Sequence, residues 1–148
     1  MSLSGGCQCG AVRFRAERLG RASICHCRMC QKAMGGFFGP FVDVYDFAWT
    51  RGAPKYFQSS NLVKRGFCGN CGTPLSFEGP GWPVNIAIGA FDHPEVIEPV
   101  LQVGIEGKLP YLDDLIGLPQ RAPKEAEMME GVLASIVSRQ HPDHDTDD

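Results

Sequence analysis

Seven cysteines fall into three tight groups: Cys7-Gln8-Cys9, Cys25-His26-Cys27-Arg28-Met29-Cys30 and Cys68-Gly69-Asn70-Cys71. Clustered thiols are soft ligands for zinc. Four thiolates close a tetrahedral site, whereas three leave a position for water or a substrate sulfur. The two outer pairs together supply four thiols and the central group supplies three. Cys68-x-x-Cys71 followed by Gly72 has the spacing of a zinc knuckle, whose turn points both sulfurs one way and offers them backbone N–H groups. Cys7-x-Cys9, with Gly10 behind it, is a tighter bite that supplies two more ligands. Cys7, Cys9, Cys68 and Cys71 are therefore assigned to a structural zinc site. Such a site brings the first strand alongside the strand ending at Cys68 and contributes directly to folding.

Cys25, Cys27 and Cys30 remain, close enough in sequence to share a second ion. In an extended segment Cys25 and Cys27 point to one face and His26 to the other, so His26 is a poor fourth ligand. An open position on that ion would take a thiol, lower its pKa and hold it beside an electrophile. Two alternatives stand beside this reading. The site could be closed by a remote carboxylate or imidazole, such as Asp92 or His93, or the three thiols could pack without metal. Metal-free packing is the weaker of the two, and thiol–disulfide exchange at Cys68-x-x-Cys71 is a weak reading as well, because a ligand pair explains those residues better.

The rest of the chain sets bounds on these sites. With 148 residues, 43% hydrophobic and 21% charged, it reads as one ordinary domain with a real core. A net charge of −3, a pI near 5.8 and the lack of any basic stripe argue against a nucleic-acid partner. Mean hydropathy is −0.13, and no apolar stretch approaches the roughly 20 residues that span a bilayer. The opening MSLSGG lacks the basic flank and apolar segment of a secretory signal, so a reducing cytoplasm is expected, where an odd number of clustered cysteines reads as metal ligation.

The positioning elements are mostly strands. Alternation over residues 11–16 predicts a half-buried strand, residues 22–26 a second one delivering Cys25, and residues 28–34 one helical turn ended by Gly35-Gly36. Residues 37–44, 55–58, 62–67, 75–77 and 84–88 are strand-like, and 18 glycines and 11 prolines spread through the chain suit many short strands joined by turns. From Pro123 to Arg139 the period changes. Ala126, Met129, Val132-Leu133 and Ile136-Val137 recur at helical spacing, with Pro123 in the first turn and Glu125 and Glu127 near the N-terminal end. This predicts three parts: a zinc-binding domain over 1–122, an amphipathic helix over 123–140 packed on the same domain, and a solvated acidic tail over 141–148, whose His141 and His144 could hold no more than a stray ion.

In order along the chain stand G-G-C-Q-C-G-A-V-R-F (5–14), C-H-C-R-M-C-Q-K-A-M-G (25–35), F-F-G-P-F-V (37–42), F-Q-S-S (57–60), R-G-F-C-G-N-C-G-T-P-L (65–75) and K-L-P-Y-L (108–112). Over roughly residues 4–118 this arrangement resembles the glutathione-dependent formaldehyde-activating enzyme family. The resemblance implies a mainly β, Mss4-like fold of antiparallel sheets organised around zinc, and the same division of ligands as above. It implies a carbon–sulfur lyase that joins glutathione to formaldehyde, or runs the reverse, with catalytic zinc on Cys25, Cys27 and Cys30. Tyr111 stands where the family often carries Trp, and the helix and tail lie outside the matched part. Proton donors for the implied reaction are His26 or water. Arg28, Lys32, Lys64 and Arg65 are candidate cations for glutathione's carboxylates, although solvated surface charge is the simpler reading for each. Gly35-Gly36 and Phe37, Phe38 and Phe41 are candidates for a pocket wall, against turn-ending and strand-packing roles. Because Mss4-like folds also serve in protein interaction, a non-enzymatic zinc-stabilised binding module is the competing expectation. No signal of oligomeric state is present.

Overall fold

Apolar and polar side chains alternate along the start of β2 (Arg13–Cys25), burying Phe14 and Ala16 and leaving Arg15 and Glu17 in solvent. Its neighbour β3 (Gly39–Arg51) is equally long, and the two pair antiparallel from Arg13↔Arg51 to Cys25↔Gly39. These strands are the spine of a computed structural model that describes residues 3–147. The pattern predicted two short strands where β2 runs unbroken. Between Leu19 and Ala22 the register slips by one residue against β3, a bulge that lets the chain pass Gly20 without ending the strand.

The remaining strands extend this pair in both directions. They are β1 (Leu3–Gly6), β4 (Lys55–Gln58), β5 (Lys64–Phe67), β6 (Pro74–Glu78), β7 (Val84–Ala87) and β8 (Leu101–Val103). The sheet order is β1-β2-β3-β7-β6-β5-β4, with β8 attached to the Ser23–Cys25 end of β2. Every pairing is antiparallel except β2 with β8, so the mainly β, antiparallel expectation holds. Phe14, Val42, Leu75 and Ile86 are almost completely buried at the centre of the core. Phe14 meets Phe91 edge-on at 5.0 Å and Trp49 at 6.1 Å.

Among the described residues two α-helices accompany the sheet, besides short 3-10 turns. α1 (Arg28–Met34) is the predicted turn, ended by Gly35 in the left-handed conformation with its N–H donating to the Gln31 carbonyl. α2 (Pro123–Ala134) begins at Pro123 as expected but stops five residues short of Arg139, and none of its residues is buried. Its end has a local cause: the Ser135 hydroxyl and N–H both bond the Val132 carbonyl, replacing the next helical hydrogen bond. Of the expected apolar stripe, Met129 is half-buried while Val132 and Leu133 are exposed, so the helix does not bury the face it was expected to pack on the domain.

The tail is also different from the expected solvated segment. The His141 N–H donates to the Gln8 carbonyl at 2.7 Å, Arg13 binds the Asp145 carboxylate at 2.8 Å, and Arg51 donates to the carbonyl of Thr146. The register explains this. Arg13 and Arg51 are cross-strand partners, and like charges placed opposite each other repel. An acidic segment relieves that repulsion.

Arg13 is nearly inaccessible and is held mainly by Asp92. Its guanidinium donates to both carboxylate oxygens at 2.9 and 2.6 Å, and the Ser4 hydroxyl donates to Oδ2 at 2.6 Å. Burial alone would raise the Asp92 pKa, but the bonds from Arg13 and Ser4 outweigh it and hold the carboxyl below its usual range. Asp92→Asn leaves a buried cation short of its partner and is expected to cost about 3–5 kcal/mol in urea denaturation. A carboxylate whose folded-state pKa is lowered stabilises fully above its unfolded value near 3.9 and loses that contribution only as pH falls through the folded value. The deficit of the variant should therefore be equal at about pH 7 and about pH 5. A deficit already halved at the lower pH would contradict the assignment.

Candidate functional site

Two loops of matching build carry the outer cysteines. After β1, the Cys7 N–H donates to the Val12 carbonyl at 2.9 Å and the Gly10 N–H to the Cys7 carbonyl at 3.1 Å. After β5, the Cys68 N–H donates to the Thr73 carbonyl at 3.0 Å and the Gly72 N–H to the Cys68 carbonyl at 2.9 Å. Gly10 and Gly72 both sit at φ +81°, the left-handed turn that closes each loop. The two loops touch where the Gln8 N–H donates to the Thr73 hydroxyl at 3.0 Å. This corrects one expectation. β5 does not run alongside the first strands; it lies near the other end of the sheet order, and the loops meet instead.

All four sulfurs lie within 4.8 Å of one another. Cys7 and Cys9 sulfurs are 3.6 Å apart and those of Cys9 and Cys68 3.9 Å, against about 3.8 Å for a regular tetrahedron with zinc–sulfur bonds near 2.3 Å. Neutral N–H donors already point at the sulfurs. The Val12 N–H reaches Cys7 at 3.2 Å, the Asn70 N–H reaches Cys68 at 3.4 Å, and the Asn70 side-chain amide reaches Cys9 at 3.2 Å. Burial pushes the Cys7 thiol up to about 12, while at Cys71 burial is outweighed by bonds from Thr73 and by neighbouring donors, which bring it down to about 6. Four thiolates this close repel one another unless a cation sits among them. The donor set and spacing fit zinc.

The central trio is positioned by three elements. Cys25 ends β2 between Gly39 of β3 and Val103 of β8, Cys27 caps the N-terminus of α1, and Cys30 lies buried in its first turn. The Cys30 N–H donates to the Cys27 sulfur at 3.4 Å. The three sulfurs lie within 4.8 Å of one another, and among the described residues no His, Asp or Glu joins them. Asp92 is bound to Arg13, and His93 is exposed beside Glu95, so neither closes the set. This trio also fits one zinc ion, with a coordination position that no side chain among the described residues fills.

His26, just past the end of β2, does not join the trio and is completely buried. Its Nε2 lies 3.0 Å from the Gln102 side-chain oxygen, its backbone N–H donates to the Val103 carbonyl at 2.9 Å, and its ring meets Phe38 edge-on. With the proton on Nε2, the unpartnered Nδ1 is a bare lone pair, cheaper to bury than an N–H. His26 wedges the loop against β8 rather than offering a proton to solvent. Gln31, not singled out in the sequence, completes the brace: its amide donates to the His26 and Gly107 carbonyls at 2.8 and 2.9 Å.

Beside Cys30 opens a groove of about 480 Å³ lined by Arg28, Met29, Lys32, Phe57, Ser59 and Arg65. Three of the four candidate cations therefore face it. Lys64 does not, since its ammonium lies over the Tyr56 ring at 4.3 Å, beside a separate groove. The aromatic candidates divide differently: Phe37 packs on Tyr111, Phe38 on His26, and Phe41 in the core against Phe77. Phe57, which the sequence did not single out for the wall, lines the groove instead.

Among solved structures, a crystal structure of a Rhodobacter sphaeroides protein is similar, with a TM-score of 0.54 and 23% identity, covering 68% of this chain and 99% of that one. That likeness supports the fold. A comparison with curated proteins finds no match. The sequence model of the family described as "Glutathione-dependent formaldehyde-activating enzyme" matches residues 2–106, a span holding all seven cysteines, both loops and α1. With most of the chain matched, it belongs to the glutathione-dependent formaldehyde-activating enzyme family.

Proposed function

We propose that this chain is a zinc-dependent carbon–sulfur lyase that reversibly joins a thiol, glutathione, to formaldehyde or a related aldehyde. The observation that carries the reading is the trio of convergent sulfurs with no fourth protein ligand among the described residues. Cys25, Cys27 and Cys30 would hold the catalytic zinc, and Cys7, Cys9, Cys68 and Cys71 a structural zinc. Zinc in the trio would supply a Lewis acid that favours the thiolate form of an incoming thiol.

The chain's own residues would do the rest. His26 with Gln102, and Gln31 with Gly107, keep the trio's loop from moving as substrate arrives. The groove beside Cys30 would receive the body of the thiol, with Arg28 and Lys32 placed for its carboxylates. Proximity then lowers the barrier of an addition that needs little help. The sulfur lone pair forms the C–S bond, the carbonyl π pair moves to oxygen, and that oxygen takes the proton the thiol gave up, through water. The buried His26 has no part in that transfer. Among the described residues no helix is long and apolar enough to cross a membrane.

Zinc analysis and turnover with glutathione and formaldehyde test the reading together. Wild type should carry one ion per sulfur cluster, two in all, and Cys27→Ser should keep the outer one, keep its circular dichroism, and lose turnover by at least about a hundredfold. An undiminished rate in that variant would remove the catalytic role of the trio, and a wild-type rate no faster than the uncatalysed addition would make the chain a scaffold rather than an enzyme. Cys68→Ser should behave in the opposite way. Because structural zinc in small domains supplies about 10–16 kcal/mol of folding free energy, losing one of its ligands should abolish the cooperative melt altogether. A Cys68→Ser protein that melts like wild type would remove the structural role.

A further inference from the structure

Buried cations in this fold come in two kinds. Arg13 is surrounded by carboxylates, Asp92 and Asp145. Arg65 has none: it is 7% exposed, and among the described residues no Asp or Glu pairs with it. Its Nε–H donates to the Ser59 hydroxyl at 3.0 Å, its guanidinium carbon lies 4.9 Å from the Phe77 ring centre, and its Nη2–H donates to the Cys30 sulfur at 3.4 Å. A buried guanidinium held by a hydroxyl, a ring face and a thiol is costly unless a negative charge resides close by. Among the described residues, the group placed to carry that charge is the sulfur trio, through Cys30.

Charge bookkeeping makes the point sharper. Four thiolates around a divalent ion carry a formal charge of minus two, and the N–H groups bonded to the outer cluster are all neutral. Three thiolates around the same ion carry minus one, which Arg65 brings to zero. A fourth anionic sulfur entering the trio then leaves minus one, instead of the minus two it would meet without the guanidinium. Arg65 also lines the groove beside Cys30, so it stands between the trio and the face from which a ligand would come.

We propose that Arg65 is a positioning residue that, acting through Cys30, supplies the charge allowing an anionic sulfur, in preference to a neutral ligand, to join the Cys25–Cys27–Cys30 site. The inference rests on the lyase reading above and adds to it the source of the site's preference for thiolate. It also reassigns Arg65, which the sequence offered as a partner for substrate carboxylates, to the sulfur cluster.

The test uses the full chain loaded with cobalt, whose visible bands report sulfur coordination, titrated separately with 2-mercaptoethanol and with imidazole. The first adds one anionic sulfur and no carboxylate; the second adds a neutral nitrogen. Arg65→Met should weaken 2-mercaptoethanol binding by roughly ten- to a hundredfold and imidazole binding by less than about threefold. Arg65→Lys, which keeps the charge, should recover most of the loss. Ser59→Ala is the second probe should Arg65→Met not fold, and it should weaken the thiol several-fold while sparing imidazole. Equal losses for both ligands, or no loss, would overturn the role of Arg65, as would release of the second cobalt from Arg65→Lys or Ser59→Ala. A wild-type spectrum that answers neither 2-mercaptoethanol nor glutathione would overturn the lyase reading itself. The two failures are thus told apart.

Discussion

The convergence of four sulfurs from two loops 59 residues apart is the constraint on which the rest depends. β1 and β2 begin the sheet order and β5 stands close to its other end, so bringing Cys7 and Cys9 to Cys68 and Cys71 requires the sheet to curl. Backbone hydrogen bonds hold neighbouring strands together, but they do not join the two regions. The Gln8–Thr73 bond and the sulfur cluster do. Closing a long loop in this way removes much of the unfolded chain's freedom, which small β domains with many non-local contacts find hardest to offset by burial alone. An ion in the outer cluster would therefore act as the fastener of the fold.

The central trio depends on that closure without sharing its construction. The outer cluster takes two ligands from each of two matched loops. The trio takes all three from one continuous stretch, with Cys25 on the end of β2 and Cys27 and Cys30 at the start of α1. A short stretch cannot easily wrap a fourth donor around its own ion, so geometry favours an open side. What fixes this loop is packing from elsewhere: β8 beside Cys25, the buried imidazole of His26 held by Gln102, and Gln31 bonded to Gly107. Gly104 belongs to the same bracket, since a Cβ there would come within 3.2 Å of the Cys25 sulfur. The site is braced on its protein side, and Arg65, which bonds the Cys30 sulfur, also lines the groove.

Cysteine spacing made the division into four and three legible from sequence, because ligand chemistry is carried by residue type and short separations. The antiparallel strands were legible for the same reason, from alternation over a few residues. What escaped the sequence depends on long-range register. β8 is three exposed residues and shows no alternation worth reading, yet its parallel pairing with β2 braces the trio. The docking of the tail follows from Arg13 and Arg51 being cross-strand partners, which no local pattern reveals. For α2, helical period correctly located the helix, but period does not say whether an apolar face finds a surface to cover. The groove's wall likewise depends on how α1 faces β4 and β5, which puts Phe57 there rather than Phe37 or Phe38.

The contrast between the two buried arginines separates what serves folding from what serves the site. Arg13 is matched by carboxylates, Asp92 above all and Asp145 besides, so its charge is cancelled inside the protein and the pairing is a matter of stability. Arg65 is fixed by Ser59 and Phe77 while its charge is left for sulfur. Burial pushes the Cys30 thiol up to about 12, with the nearby guanidinium opposing that rise. With an ion held by the trio, Cys30 would be a thiolate and the guanidinium its matching charge. With three thiolates around a divalent ion, the same side chain would bring the central site to neutrality, and this electrostatic asymmetry, more than the count of cysteines, would set it apart from the outer one.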